Sequence, residues 1–221
     1  MKDSGNDQTM PIRGHTAEED PPLLREDIAV AEDWPPVRGD YTVGNPKNRV
    51  AVVTLSSRIS LEGAAISGPC VTENLGIEKI IANVISNSNI RFLILCGRES
   101  RGHLPGDTIL ALHKNGLDGW GRIVGSKGAI PFIENLPREA ISRFQSQVEV
   151  VDKIGTVDAL EISRLIIEYS SKSDVYPEPP FLVMKRRHVQ VPTSATMSDM
   201  LFGDGIWLDA SLWMVSMTEE M

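Results

Sequence analysis

Between Arg49 and Ser171 the apolar side chains follow two alternating rhythms: short unbroken runs, and longer stretches in which they return every third or fourth position. The runs RVAVVTL (49–55) and IRFLILC (90–96), with the shorter VEVV (148–151), leave no polar face and predict strands buried on both sides. The spaced stretches predict helices. Leu75, Ile77, Ile80, Ile81, Val84 and Ile85 face inward on a helix capped by Thr72, favoured by Glu73 in its first turn and running to about Asn87. That arrangement puts Glu78, Lys79 and Asn83 mostly outside. Asp107 is placed to cap TILALHKNG, which Gly116 ends, and Pro137 suits the first turn of PREAISRFQSQ. Thr156 is placed to cap a last helix through Leu160, Ile162, Leu165 and Ile166, whose pattern fades by Ser171.

Strand, helix and strand in succession predict a right-handed crossover unit. The expected fold class is α/β, a mostly parallel sheet with helices on both faces. Residues 1–33 are polar, acidic and Pro/Gly-containing, which reads as a mobile leader. WPPVRGDYTVGNP then forms an extended arm whose Trp34 and Tyr41 lie against a domain spanning 34–180. Residues 181–221 form a tail that includes the basic run LysArgArgHis, Trp207 and Trp213, and no fold is assigned to it. There is no internal repeat.

Composition narrows the classes. A chain of 221 residues, 41% hydrophobic, supports one sizeable core. A net charge of −8 argues against a nucleic-acid partner, which needs clustered Lys and Arg. Two cysteines, Cys70 and Cys96, cannot build a disulfide framework and fit a reducing cytoplasm. The first twenty residues lack the apolar core of a signal peptide, and no apolar run approaches the ~20 residues of a membrane span. The expectation is a soluble, cytoplasmic protein.

The candidate chemistry concentrates where the run ending at Cys96 breaks into GRESRGHLPGD. Gly97, Gly102 and Gly106 leave bare backbone around His103, at the end of a strand where α/β sheets place their ligands. The histidine has two readings: a ligand or catalytic group, or an imidazole that ties its own loop to a backbone carbonyl. HisLeuProGly matches the HxxG half of the DxHxxG signature of many corrinoid-binding domains. Arg101 stands where that motif has its aspartate, so a metal-bound His103 needs its second nitrogen held by another acceptor. Elsewhere the signals are weaker. His113 reads as structural, while His15 and His188 fall in the tails. Cys70 and Cys96 read as packing residues, and no zinc motif occurs. GSKG (125–128) offers amides and a lysine without P-loop spacing, and GxGxxG is absent.

Taken in order, WPPVRGDYTVGNP, AVVTL, GAAISGPCVTENLGIEK, ISNSNIRFLILCG, GHLPGDTILALHKNG and IVGSKGAIPFIENLP closely resemble the A subunit of tetrahydromethanopterin S-methyltransferase, over roughly Trp34 to Asp152. The resemblance implies a minimal Rossmann-like domain that binds a cobamide, with His103 as the lower axial ligand of its cobalt and no catalytic residue beyond that ligand. It implies cofactor neighbours at Thr54, Leu55 and Ser56, at Pro69, Cys70 and Thr72, and at Gly125, Lys127, Gly128 and Ala129, beside Gly97, Gly102 and Gly106, which the bare backbone of the histidine loop itself offers to a ligand. The family's reaction carries a methyl group from methyl-tetrahydromethanopterin to coenzyme M by way of the cobalt. In the membrane-bound complex the A subunit ends in a membrane helix, whereas the tail of this chain has charges and no sufficient apolar run. The expectation is therefore a free-standing carrier that works with a separate soluble methyltransferase and a methyl-pterin or other methyl donor. A cobamide sensor or storage protein is the alternative, and a scaffold with an empty pocket a third.

Overall fold

The computed structural model of the chain describes residues 29–183, together with the backbone of three short strands between positions 200 and 217. Residues 29–183 build a five-stranded sheet from β1 (Thr42–Val43), β2 (Val50–Val53), β3 (Ile66–Gly68), β4 (Phe92–Gly97) and β5 (Glu149–Ile154). The strand order is β1-β3-β2-β4-β5. β2, β3, β4 and β5 are parallel, and β1 closes one edge antiparallel to β3. The α/β class and the mostly parallel sheet are as expected.

The reason for two helical layers lies in the alternation along β2 and β4, whose residues are all buried. Ala51, Val53, Leu93 and Leu95 face one layer, formed by α1 (Leu75–Ile85), α2 (Pro105–Asn115) and α3 (Arg138–Gln147) through Ile77, Ile81, Ile109, Leu112 and Phe144. Val50, Val52, Phe92, Ile94 and Cys96 face the other, where α4 (Ala159–Ser170) contributes Ile162 and Ile166. Strands apolar on both faces thus each bury one face against either layer.

Several local expectations change. β3 and β1 were not anticipated, because their short segments hold few large apolar side chains; they exist through pairing with β2 and with each other. The crossover helix α1 consequently joins β3 to β4 and passes β2, which sits between them. Asn74 caps α1 through Leu75 N–H, with the Thr72 hydroxyl accepting from Gly76 N–H as an accessory. Asp158, not Thr156, caps α4. Glu78 and Asn83 are buried rather than outside, and Leu160 and Leu75 are exposed. Both inward polar groups are bonded: Glu78 accepts from the backbone N–H of Glu134 and Asn135, and the Asn83 amide bonds the backbone of Val37.

The expected arm is held as proposed, with the Trp34 indole N–H donating to Asn83 O at 2.7 Å. Residues 29–33, assigned to the leader on composition, are also fixed: Ala29 is fully buried, and Ala31 N–H donates to Ser86 O. The rest of the leader, including His15, lies outside the described residues, as do His188 and the basic run of the tail. The tail does contain an antiparallel sheet of β6 (Met200–Phe202), β7 (Ile206–Asp209) and β8 (Met214–Met217).

Candidate functional site

The chain leaves β2 toward β3 on one side and β4 toward β5 on the other, so the loops after β2 and β4 diverge at the carboxyl edge of the sheet. That divergence opens a crevice of the kind in which α/β proteins bind ligands. The loops are stitched below it. Thr54 N–H donates to Gly68 O, Cys70 N–H to Leu55 O, and Ser56 donates through both N–H and hydroxyl to Arg98 O. Gly97 must be glycine, because its φ is +80° and a Cβ would collide with Thr54 O. Two leucines, Leu55 (φ +50°) and Leu104 (φ +47°), hold left-handed backbone at the same rim, a cost that packed surroundings must impose.

His103 lies between Gly102 and the start of α2. The first amides of α2 are capped by Glu99, whose carboxylate accepts from Gly106 N–H and Asp107 N–H. Asp107, the expected cap, instead accepts from the Lys127 backbone N–H at 3.0 Å and pairs with its Nζ at 3.1 Å. Gly106 fits tightly beneath the loop, where a Cβ would lie 3.1 Å from Leu55 Cδ1.

The imidazole is not a loop tie. Its Nδ1 is 2.7 Å from Oε2 of Glu73, and Glu73 sits just before α1 with its side chain 2% exposed, against 53% for His103. A carboxylate only accepts, so the proton of the neutral ring resides on Nδ1 and the lone pair on Nε2. Among the described residues Nε2 has no hydrogen-bond partner. The other oxygen of Glu73 accepts from Ile130 N–H at 2.8 Å. Burial pushes the Glu73 carboxyl up, but backbone N–H donors, including Ile130, and the His103 contact outweigh it and leave the group below its ordinary value.

The segment 125–130 is fastened to the same point. Gly128 approaches so closely that a Cβ would lie 2.7 Å from His103 O, 2.9 Å from Thr108 Oγ1 and 3.0 Å from Glu73 Cβ. The Thr108 and Ser126 hydroxyls share a hydrogen bond of 2.7 Å. Of the residues singled out in the sequence, His103, Gly102, Gly106, Lys127 and Gly128 therefore gather around this loop. Ala129 is exposed beside them. Gly125 lies toward the far end of α2, where a Cβ would meet the Asn115 amide. Thr54 and Leu55 are buried structural residues of the rim.

Ser56, Pro69, Cys70 and Thr72 line a cavity of about 670 Å³ between α1 and the β2–β3 side of the sheet, and neither His103 nor residues 125–129 line it. Burial pushes the Cys70 thiol up to about 11 and that of Cys96, inside the opposite core, up to about 12. His113 is structural, its Nε2 2.6 Å from Val148 O and its ring edge-on to Phe144. Among the described residues no group of three or more His, Cys, Asp or Glu side chains gathers, so His103 stands as a single nitrogen donor with a carboxylate behind it. Glu73 is the functional residue that the sequence pattern misplaced. The missing aspartate at position 101 showed that an acceptor was needed without saying which.

Residues 27–189 match the family described as the A subunit of tetrahydromethanopterin S-methyltransferase. The chain is 51% identical to the Mtx A subunit of Methanosarcina barkeri, a protein named as a candidate methyltransferase, over 86% of this chain and 98% of that relative. It is 54% identical to the tetrahydromethanopterin S-methyltransferase A-2 subunit of Methanothermobacter thermautotrophicus, over 66% of this chain and 82% of the relative. Against the A-1 subunit of the same organism the identity is 54%, over 70% of this chain and 67% of the relative. Among the described residues no helix is long and apolar enough to cross a membrane.

Proposed function

Because the chain belongs to the A-subunit family of tetrahydromethanopterin S-methyltransferase, we propose that it is a methyl carrier whose His103 holds the cobalt of a cobamide by Nε2. One observation carries this reading: the outward, unpartnered Nε2 of an imidazole whose inner nitrogen is gripped by buried Glu73. The residues fit the group, since metal-bound histidines characteristically donate their second N–H to a carboxylate that fixes tautomer and ring orientation. The bound cofactor would supply a cobalt centre able to accept and release a methyl group.

The protein's own part is positioning. Glu73 holds the proton on Nδ1, which keeps the Nε2 lone pair directed outward. Any change at Nε2 is felt at Ile130, because both oxygens of one carboxylate serve the two groups. The imidazole is open to solvent, its side chain 53% exposed. The methyl donor is proposed to be methyl-tetrahydromethanopterin and the acceptor coenzyme M, each handled by a separate methyltransferase.

Titrating cobamide into the apoprotein and recording the visible spectrum tests the assignment. The wild type is expected to give the spectrum of an imidazole-ligated corrinoid, and His103→Ala to lose it. Identical spectra for the two would overturn the proposal. Transfer of labelled methyl from methyl-tetrahydromethanopterin to coenzyme M, dependent on both this chain and an added methyltransferase, tests the carrier role.

A further inference from the structure

β5 is an outer strand of the sheet, bonded to β4 on one side and to no strand on the other. Alternate residues of a strand direct their backbone groups to opposite edges. Glu149 N–H donates to Arg91 O, so the odd-numbered residues serve β4 and the even-numbered ones face the open edge. Two of the outward groups are closed within the chain. His113 Nε2–H, from α2, donates to Val148 O at 2.6 Å, and Ile154 N–H donates to the Asp152 carboxylate at 3.0 Å. Between these two stoppers stand the N–H and C=O groups of Val150 and Asp152, which among the described residues have no partner. The open edge is thus narrowed to Val150–Asp152, and both residues are at least partly accessible to solvent.

An open edge accepts an added strand, and the pattern along it decides which strand fits. The β5 strand of a second copy fits in one register. Run antiparallel with Val151 facing Val151 of the partner subunit, it sets Val150 against Asp152 of the partner subunit, and the reverse by symmetry. Those are the hydrogen-bonded positions, so every free backbone group of both edges finds its complement. The flanking positions are of the non-hydrogen-bonded kind, where side chains come closer, and they set Glu149 opposite Lys153 of the partner subunit. Glu149 is exposed, and Lys153 has only a 4.0 Å contact with Glu161 in its own chain. A shift of the register in one direction puts Asp152 against Asp152 of the partner subunit, carboxylate on carboxylate. A shift in the other sets Asp152 against Val148 of the partner subunit, whose carbonyl His113 occupies and whose N–H is bonded to Phe144 O.

We propose that the outer edge of β5 binds a second copy of this chain, the two sheets joining through antiparallel β5 strands in register about Val151. Such an interface is isologous and closes on itself: the edge is consumed, and no filament grows from it. The stoppers at Val148 and Ile154 confine the pairing to the window that a second β5 satisfies, which excludes longer, sliding strand partners. The two-fold axis stands perpendicular to the sheet, so the carboxyl edges of the two sheets point in opposite directions and each His103 loop stays unobstructed. Nothing in the proposal depends on what His103 holds.

Sedimentation of the full chain over a range of concentrations, with amide hydrogen exchange read along β5, tests this. The expected result is a reversible monomer–dimer equilibrium in which slow exchange at Val150 and Asp152 appears only at concentrations that favour the dimer. Glu149→Lys and Lys153→Glu each place like charges opposite one another twice, and each should weaken the dimer about tenfold. The combined Glu149→Lys/Lys153→Glu variant restores opposite charges and should recover the wild-type dimer, a rescue that a merely structural role of either residue does not give. Circular dichroism verifies that the variants keep the fold. A chain that is monomeric at every concentration overturns the proposal, and so does a dimer that the single variants leave unchanged, since it forms through another surface. A double variant no tighter than the single ones overturns the register. Protection of Val150 and Asp152 in the monomer, independent of concentration, overturns the proposal in favour of another segment of the same chain as the occupant of the edge.

Discussion

Glu73 and His103, 30 positions apart in the chain, meet at 2.7 Å, so the acceptor that the histidine needs comes from the loop before α1 and not from its own motif. The carboxylate also terminates the Ile130 N–H, which makes it one support for two loops. Glu73→Gln removes the charge while a carbonyl oxygen remains for one of these donors. Corrinoid affinity measured spectrophotometrically should fall about 10–100-fold, the usual cost of losing such an outer partner. Glu73→Ala should in addition lower stability by about 1–3 kcal/mol in denaturant titration, because the Ile130 amide loses its acceptor. Affinity unchanged in both variants would contradict the role given to this pair.

Two glycines beside the histidine should behave oppositely in their sensitivity to space. A Cβ at Gly128 would meet His103 O, Thr108 and Glu73 within 3.0 Å, whereas one at Gly102 has open space and only a positive φ of +80° to resist it. Gly128→Ala should therefore cost about 1–3 kcal/mol by overpacking and loosen the imidazole. Gly102→Ala should cost about 1 kcal/mol, from backbone conformation alone. Thermal denaturation with a corrinoid titration of each variant distinguishes them, and equal effects would show that the two segments are not held together as described.

The parts of this molecule legible in the sequence are those whose signal is local. The uninterrupted apolar run of β4 and the glycines that follow it located the loop of His103, because both burial and chain reversal leave their mark on adjacent residues. β3 left no such mark: Ile66, Ser67 and Gly68 form a strand by pairing with Ala51, Val52 and Val53, a relation invisible to periodicity. Glu73 reads locally as a dipole partner for α1, an inference that its long-range contact with His103 supersedes. Glu78 and Asn83 failed for the same reason, since partners in distant segments permit their burial on a face that polarity alone would turn outward.

The end of the domain hangs on Arg143. Its side chain is 5% exposed, lies 4.3 Å from the Tyr176 ring centroid, and donates to Ser88 Oγ, Pro179 O and Gln147 Oε1 as well as to Glu178. Glu178 itself is 64% exposed, so the ion pair is the minor part of the arrangement. Arg143→Met should cost about 2–3 kcal/mol, because buried oxygens lose their donor. Glu178→Gln should stay within about 1 kcal/mol. Urea unfolding of both variants checks the order, and a larger loss for Glu178→Gln would reverse the assignment.

The two thiols give the alkaline side of the stability profile its shape. Burial raises Cys70 to about 11 and Cys96 to about 12, from an ordinary value of 9.0. In the unfolded chain both ionise as the pH passes 9, while the folded protein keeps their protons up to those higher values. Across that window the unfolded state binds fewer protons, so stability falls with rising pH; the contribution is complete below 9 and lost by about 11 to 12. Replacing either residue by alanine should flatten the decline above pH 9, measured as urea midpoints against pH. The same shift predicts chemistry at pH 8, where the thiolate fraction of native Cys70 is about a hundredfold below that of a free thiol. Alkylation of the native protein should accordingly be slow at both cysteines and become rapid on unfolding. Rapid native labelling of Cys70 would mean that its thiol is more open to solvent through the cavity mouth than its burial implies.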